Sequence, residues 1–226
     1  MYRANHLVGF GGGVSEKFGV THVTDTGHTT VSATNPLTIS SVDLGSSGGN
    51  KHVILAVFVQ AEPGPITAVT VAGQSATIVI EEGSGVHKQS QTGIIICELT
   101  GVTSGDIVIT SGSGTIAKYA VSVYQMIKGS ITPTDTWGPD FGTTPTGTIN
   151  IAAGGFCISQ AAALTSGSFT WSGLTERFDA NTGGSAVANS VAADFDMSAE
   201  TGRSITCTPS GSPRQRVGIG ASFEAA

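Results

Sequence analysis

The chain has 226 residues, a formal net charge of −6 and 12% charged residues, about half of the usual ~25%. Its ten Lys and Arg are spread along the chain, so it lacks the clustered positive charge that a nucleic-acid interface needs. It also has 32 glycines and 39% hydrophobic residues, with many Thr, Ser, Val and Ile. Apolar runs between Gly and Ser turns favour an all-β protein over low-complexity disorder.

The N-terminal segment, residues 1–19, has little hydrophobic periodicity and contains Gly9-Phe-Gly-Gly-Gly13. We expect an extended attachment arm, and an arm folded back on its own sandwich is an equally good interpretation. The segment lacks a basic start followed by an apolar core of about 7 to 15 residues, so no secretory signal is expected. No apolar run approaches the roughly 20 residues that span a bilayer. The protein is therefore expected to be made in the cytoplasm and to have no membrane partner.

The first half of the chain reads as a series of strands separated by turns. A hairpin is predicted for 66–71 and 75–81 across Gly73-Gln74. Residues 94–97 are apolar on both faces, which is typical of a strand covered on both sides. They begin three consecutive strands that we expect to form an antiparallel meander and to nucleate the sandwich. The further predicted strands here are 20–24, 37–42 and 52–60, and those of the meander are 93–100, 106–110 and 115–127.

The least regular region is 129–147, with prolines at 133, 139 and 145. It either links two domains or is a long crossover, and we favour the crossover because each half has few strands to close its own core. Later strands are predicted at 148–151, 155–163, 169–173, 175–179, 187–195, 204–208 and 215–223. Strands at this spacing predict a jelly-roll-like antiparallel β-sandwich over residues 20–226.

The residues that commonly carry chemistry are scattered. Three single cysteines, with no Cys-x-x-Cys pair, are typical of small buried residues in a reducing compartment, although one disulfide plus one free thiol is also compatible. The five histidines show no metal-ligand spacing, and serines follow no nucleophile motif. Asp194 and Asp196, with Glu200 nearby, would offer calcium only a minimal set of oxygens. We therefore expect no enzyme activity, no metal and no cofactor.

The best ligand candidate is Trp137-Gly-Pro-Asp-Phe141. A flat aromatic ring in a proline-framed loop can stack on a sugar, and Asp140 can accept hydrogen bonds from sugar hydroxyls. Trp137, Asp140 and Phe141 are therefore the predicted ligand-binding residues. The alternative interpretation is that Trp137 plugs the end of the sandwich. Trp171 alternates like a strand residue and is expected in the core.

Five stretches of the chain form a recognisable pattern: Val53-Ile-Leu-Ala-Val-Phe-Val59, Ile66-Thr-Ala-Val-Thr-Val-Ala-Gly73, Leu99-Thr-Gly-Val-Thr-Ser-Gly105, the segment 171–179 and Gly218-Ile-Gly-Ala-Ser-Phe223. Together they resemble the β-sandwich proteins of tailed phages and phage-like particles, such as head spikes, head fibres and tail-surface proteins. The resemblance covers most of residues 50–226 at the level of fold pattern, and no diagnostic motif transfers binding residues.

The resemblance implies a virion component that is a homo-oligomer and presents a surface to host glycans. The first hypothesis is accordingly a structural protein of such a particle, bound to other virion proteins through residues 1–19 and binding host polysaccharide. The second is a carbohydrate-binding module of a secreted system. A hydrolase comes third, since it would need a cleft with two facing carboxylates.

Overall fold

The computed structural model describes residues 17–49, 51–61, 64–83, 90–112, 114–164, 167–181, 188–211 and 216–226. These residues form strands, turns and loops without a helix, which confirms the predicted all-β sandwich. The strands of the first half are β1 Gly19–Thr34, β2 Leu37–Asp43, β3 Lys51–Ala61, β4 Ile66–Val71, β5 Gln74–Ser75, β6 Thr77–Gly83, β7 Ser90–Leu99, β8 Ser104–Ser111 and β9 Ile116–Ile127. Those of the second half are β10 Asp135–Asp140, β11 Thr146–Ile151, β12 Gly155–Ala163, β13 Phe169–Ser172, β14 Glu176–Asn181, β15 Ala188–Met197, β16 Glu200–Pro209 and β17 Arg216–Phe223.

The strands pair antiparallel in four sheets, which form two sandwiches. In the first half, an inner sheet with the order β1-β9-β3-β7-β6 faces an outer sheet with the order β2-β8-β4-β5. In the second half, an inner sheet β10-β17-β12-β15-β14 faces an outer sheet β11-β16-β13. Apart from the two-residue β5, each strand of the first half has a counterpart in the second, in the same chain order and at the same place in its sheet. The chain therefore contains the same supersecondary unit twice.

The two inner sheets pack against each other and form the centre of the molecule. Along β3, Ile54, Ala56 and Phe58 belong to this central cluster together with Phe156 and Phe223 of the second half. The alternate β3 residues, Val53 to Val59, face the first outer sheet. Because successive side chains of a strand point to opposite faces, β3 must be apolar on both. The two-sided apolar pattern predicted for 94–97 has the same cause, with Ile94 and Ile96 in the central cluster and Ile95 and Cys97 in the outer one.

The interior of the second sandwich contains polar as well as apolar side chains. Between its two sheets lie Trp137, Ile149 and Ile205 at one end, and Phe169 and Cys207 at the other. Buried serines pair with the tryptophans here: the indole of Trp137 donates to Ser159 Oγ at 3.0 Å, and that of half-buried Trp171 donates to Ser190 Oγ at 2.8 Å. Trp171 is thus part of the core, as predicted. Gln160, which donates to Asn189 at 3.0 Å, lies on the opposite face of the sheet, toward the central layer.

The meander prediction located three strands correctly but was wrong about their pairing. β7 and β9 both flank β3 in the inner sheet, whereas β8 lies between β2 and β4 in the outer sheet. The predicted hairpin is likewise right only at its turn. Two residue pairs join β4 to β5, and the chain then crosses to the inner sheet, where β6 pairs with β7. The physical reason is that the inner sheet needs a cover, so the chain changes layer between most consecutive strands, with β4–β5 and β6–β7 as the pairs of the first half that stay in one sheet.

The region 129–147, for which the sequence predicts a long crossover or a link between two domains, connects the two sandwiches. It runs from β9 of the first sandwich to β11 of the second, and on the way it supplies β10, an edge strand of the second inner sheet. Its early part is held along the chain end by hydrogen bonds from Ser130 N to Glu224 O and from Thr134 N to Ser222 O. Of the expected arm, residues 1–16 lie outside the described part, and Gly19 begins β1. The jelly-roll topology and the arm stay predictions.

Candidate functional site

Trp137 lies in β10 with its ring buried between the sheets of the second sandwich, only 4% exposed. Its indole Nε1 donates a hydrogen bond to Ser159 Oγ at 3.0 Å. A ring enclosed in this way has no free face for a sugar. The structure therefore does not support Trp137 as a stacking residue, and the alternative interpretation, a core plug, fits its position.

Three glycines create the space for this indole. A side chain on Gly147 or Gly220 would collide with the ring, and a Cβ on Gly218 would lie 2.9 Å from Cη2 of the tryptophan. Gly218 and Gly220 belong to β17, which pairs with β10. Glycine inside a strand is normally unfavourable, and a close approach by another group is one of the reasons that it is retained.

Asp140 serves as a hydrogen-bond acceptor for the backbone of its own loop. Its Oδ1 accepts from Gly142 N at 2.9 Å, and its Oδ2 accepts from Thr146 N at 2.6 Å. At the other end of β10, Asp135 Oδ2 accepts from Asn150 N at 2.8 Å. Two carboxylates therefore fix the connection from β10 to β11. Each oxygen of Asp140 keeps a second lone pair, so its predicted role as an acceptor for sugar hydroxyls stays a prediction.

Phe141 is the member of the predicted site that is open to solvent, with 48% of its surface exposed. It lies in the loop between β10 and β11, next to the residue whose carboxylate fixes that loop. Among the described residues, the other large apolar side chain with comparable exposure is Ile131, at 44%. Ile131 borders two shallow surface grooves, one lined by Gln74 and Glu98 and the other by His52 and Lys128.

A second group of interest is ionic and lies where β1 meets β14 and β15. His22 Nε2 is 3.1 Å from Asp25 Oδ1, and the His22 ring lies 5.1 Å from that of Tyr124. Arg177 reaches Asp194 at 3.5 Å. The Tyr124 hydroxyl is buried without a hydrogen-bond partner, and burial raises its pKa.

These ionisable side chains are arranged as separate pairs. His22 and Asp25 pair with each other, and the Arg177 guanidinium also covers the ring of Phe195 at 5.0 Å. Each pair lies within one inner sheet, and the two sheets meet at this edge through the rings of Tyr124 and Phe195, whose centroids are 6.3 Å apart. The sequence analysis missed this group because its members come from four different strands, and no local spacing brings them together.

The cysteines are buried and free, as the residue pattern predicted. Burial raises the pKa of Cys97 to about 11 and that of Cys157 to about 12, and it also raises the pKa of Cys207. Thiols of this kind are inert at neutral pH, because the reactive species is the thiolate. Burial lowers the pKa of Lys51, whose Nζ donates to Val102 O at 2.7 Å.

The carboxylates considered for calcium do not form a common site. Asp194 pairs with Arg177, and Glu200 pairs with Arg203 at 2.7 Å. Across the described ranges, no three His, Cys, Asp or Glu side chains are grouped so as to hold a metal ion. The same residues contain no helix that is long and apolar enough to cross a membrane.

Comparisons with known proteins leave the resemblance to phage particle proteins an expectation. No family model matches the chain, and no match was found among curated proteins or among solved structures.

Proposed function

We propose that the protein is a structural component of a phage or phage-like particle, such as a head spike, head fibre, decoration or tail-surface protein, and that it contacts host surface polysaccharide. The observation that carries this proposal is the stack of four sheets held by apolar layers, to which ion pairs such as Arg177–Asp194 and Arg203–Glu200 are added at the surface. A fold of this kind is suited to presenting a surface in a fixed position on a particle.

The position of the first described residues also supports attachment through residues 1–19. Phe18 and Val20 pack against the central cluster between the inner sheets. The preceding segment therefore joins the body at its most firmly packed layer. Force applied through this segment would reach both sandwiches, which suits a link to other virion proteins.

The attachment proposal is tested by deleting residues 1–16, which leaves Phe18 and all of β1 in place. The shortened protein should keep the thermal unfolding transition of the full chain but fail to co-purify with particles assembled in its presence. Full-length protein carrying Phe141→Ala is the control and should be incorporated normally. Incorporation of the shortened protein at the wild-type level would refute attachment through this segment.

The second candidate is a carbohydrate-binding module of a secreted system. The observation that favours it is Phe141, an exposed aromatic ring in a loop fixed by Asp140. Aromatic faces of this kind bind sugars in a wet environment. Both candidates bind polysaccharide, but only the first also binds other virion proteins. The particle experiment therefore separates them.

A further inference from the structure

The solvent face of the second outer sheet carries uncharged polar side chains, apart from Glu200 at the start of β16, whose carboxylate is paired with Arg203. Along β11, β16 and β13, outward residues alternate with core residues such as Ile149, Ile205 and Phe169. All of the outward residues are exposed except Thr206, which is half-buried. They form the hydroxyl face, which consists of Thr146, Thr148, Asn150, Thr170, Ser172, Ser204, Thr206 and Thr208.

The strand register arranges the hydroxyl face in rows. One row runs across all three strands as Thr146, Thr206 and Ser172. A second pairs Thr148 with Ser204, and a third pairs Thr208 with Thr170. Neighbouring strands lie about 4.8 Å apart, and same-face residues of one strand are separated by about 6.8 Å. The result is a regular grid of hydroxyl groups on a sheet.

Most of these hydroxyls are available for an external partner. Thr146 Oγ1 donates to Thr144 O at 3.0 Å and lies 3.5 Å from Thr206 Oγ1. The hydroxyls of Thr148, Thr170, Ser172, Ser204 and Thr208 make no hydrogen bond with another described residue. Each hydroxyl can both donate and accept. The face can therefore exchange its water contacts for hydrogen bonds to another hydroxyl-rich molecule.

The composition of the hydroxyl face indicates which class of molecule it can bind. A protein interface has a core rich in aromatic residues, Met and Arg, and a membrane surface needs apolar or basic side chains. Nucleic acid needs positive charge, whereas this face has none and the chain carries a net charge of −6. A neutral molecule that is itself covered with hydroxyl groups matches the face in charge and in hydrogen-bonding capacity.

We infer that the hydroxyl face binds an uncharged polysaccharide lying across the strands of the second outer sheet. The inference rests on the polysaccharide contact in the proposed function and assigns that contact to a surface. Phe141, in the loop that leads into edge strand β11, is the nearest exposed aromatic residue along the chain. Individual hydroxyl contacts are weak, so binding depends on several rows acting together and on multiple copies of the protein.

The first sandwich supplies an internal control. In its outer sheet, Val108 lies between Thr38 and Thr70, and Asp106 follows on the same face of β8. This face has the same place in the repeated unit as the hydroxyl face. An apolar side chain and a carboxylate interrupt its hydroxyls, so we expect it to bind neutral polysaccharide poorly.

The test is native gel electrophoresis of the full chain in gels that contain dextran, mannan or galactomannan, with alginate as an anionic comparison. The test variant is Thr148→Val/Thr206→Val/Thr208→Val, which keeps side-chain shape and β-propensity while removing three hydroxyls. The control variant is Thr38→Val/Thr70→Val/Thr110→Val in the first outer sheet. A second test variant, Thr206→Glu, introduces a charge without adding apolar surface.

At least one neutral polysaccharide should retard the wild type and the control equally. Retardation of either test variant should correspond to affinity weaker by about tenfold, since several modest hydrogen bonds are lost together. Equal retardation of wild type and test variants would overturn the assignment of the face while leaving polysaccharide binding in place. Lack of retardation of the wild type in every gel would overturn both the assignment of the hydroxyl face and polysaccharide binding by the protein. This outcome does not depend on the particle experiment. Light scattering measures the oligomeric state of the test variants. A change in that state would also overturn the assignment, because it would show that the hydroxyl face contacts a second copy of the chain.

Discussion

Trp137 lies in β10 and Phe141 directly follows this strand, yet the Trp137 ring is buried and Phe141 is exposed. Composition and local pattern could identify an aromatic, proline-framed segment but could not separate these two outcomes. The difference depends on Gly147, Gly218 and Gly220, which are distant in sequence and make room for the indole. At this scale, the sequence could not show that the fold places Trp137 inside and Phe141 outside, and a ligand contact at this loop stays a prediction.

Replacing Trp137 with Phe should lower the free energy of unfolding by about 1–3 kcal/mol, because the Ser159 hydroxyl is then buried without its partner. Phe141→Leu is the matched control, and a change at this exposed position should stay within about 0.5 kcal/mol. Both values come from equilibrium denaturation in urea. A larger loss for Phe141→Leu than for Trp137→Phe would contradict the assignment of the two rings.

At the scale of the strand, hydrophobic alternation and turn residues located β7, β8 and β9 closely. Their pairing could not be predicted in the same way, because a strand with two apolar faces does not reveal which layer covers each face. The duplication was also hidden. Its traces are short, such as Ser104-Gly105 at the start of β8 and Thr201-Gly202 near the start of β16. The hydroxyl face was missed because alternating Thr and Ser become a surface only once the register aligns three strands.

The connection between β10 and β11 can be tested through its two carboxylates. Asp140→Ala should speed hydrogen exchange of the Gly142 and Thr146 amides at least about tenfold, because each loses its acceptor and the loop opens locally. Asp135→Ala is the matched control and should act on the Asn150 amide instead. NMR of the folded protein measures all three. Unchanged exchange at Thr146 in Asp140→Ala would refute the role of this carboxylate in holding the loop.

At the scale of the whole molecule, the central layer should make the two sandwiches unfold together. Phe156 lies in this layer, with its ring 5.6 Å from Tyr124 of the first half and 6.2 Å from Phe223. Phe156→Ala should remove about 3–5 kcal/mol and lower the single calorimetric transition by about 10 °C. Phe141→Ala, in the same half, should leave the transition unchanged. Two separate transitions, with the first sandwich unaffected by Phe156→Ala, would contradict a shared core.

The duplicated unit also sets how the surface of this protein can change. In a symmetric homodimer every substitution appears twice, so a residue that improves one side for a ligand alters the opposite side as well. Here both units belong to one chain, and each outer sheet can accept substitutions on its own. The two outer sheets already differ in this way, with Val108 and Asp106 on the first and aligned rows of hydroxyls on the second. One gene product can thus carry two unlike faces on opposite sides of a common core.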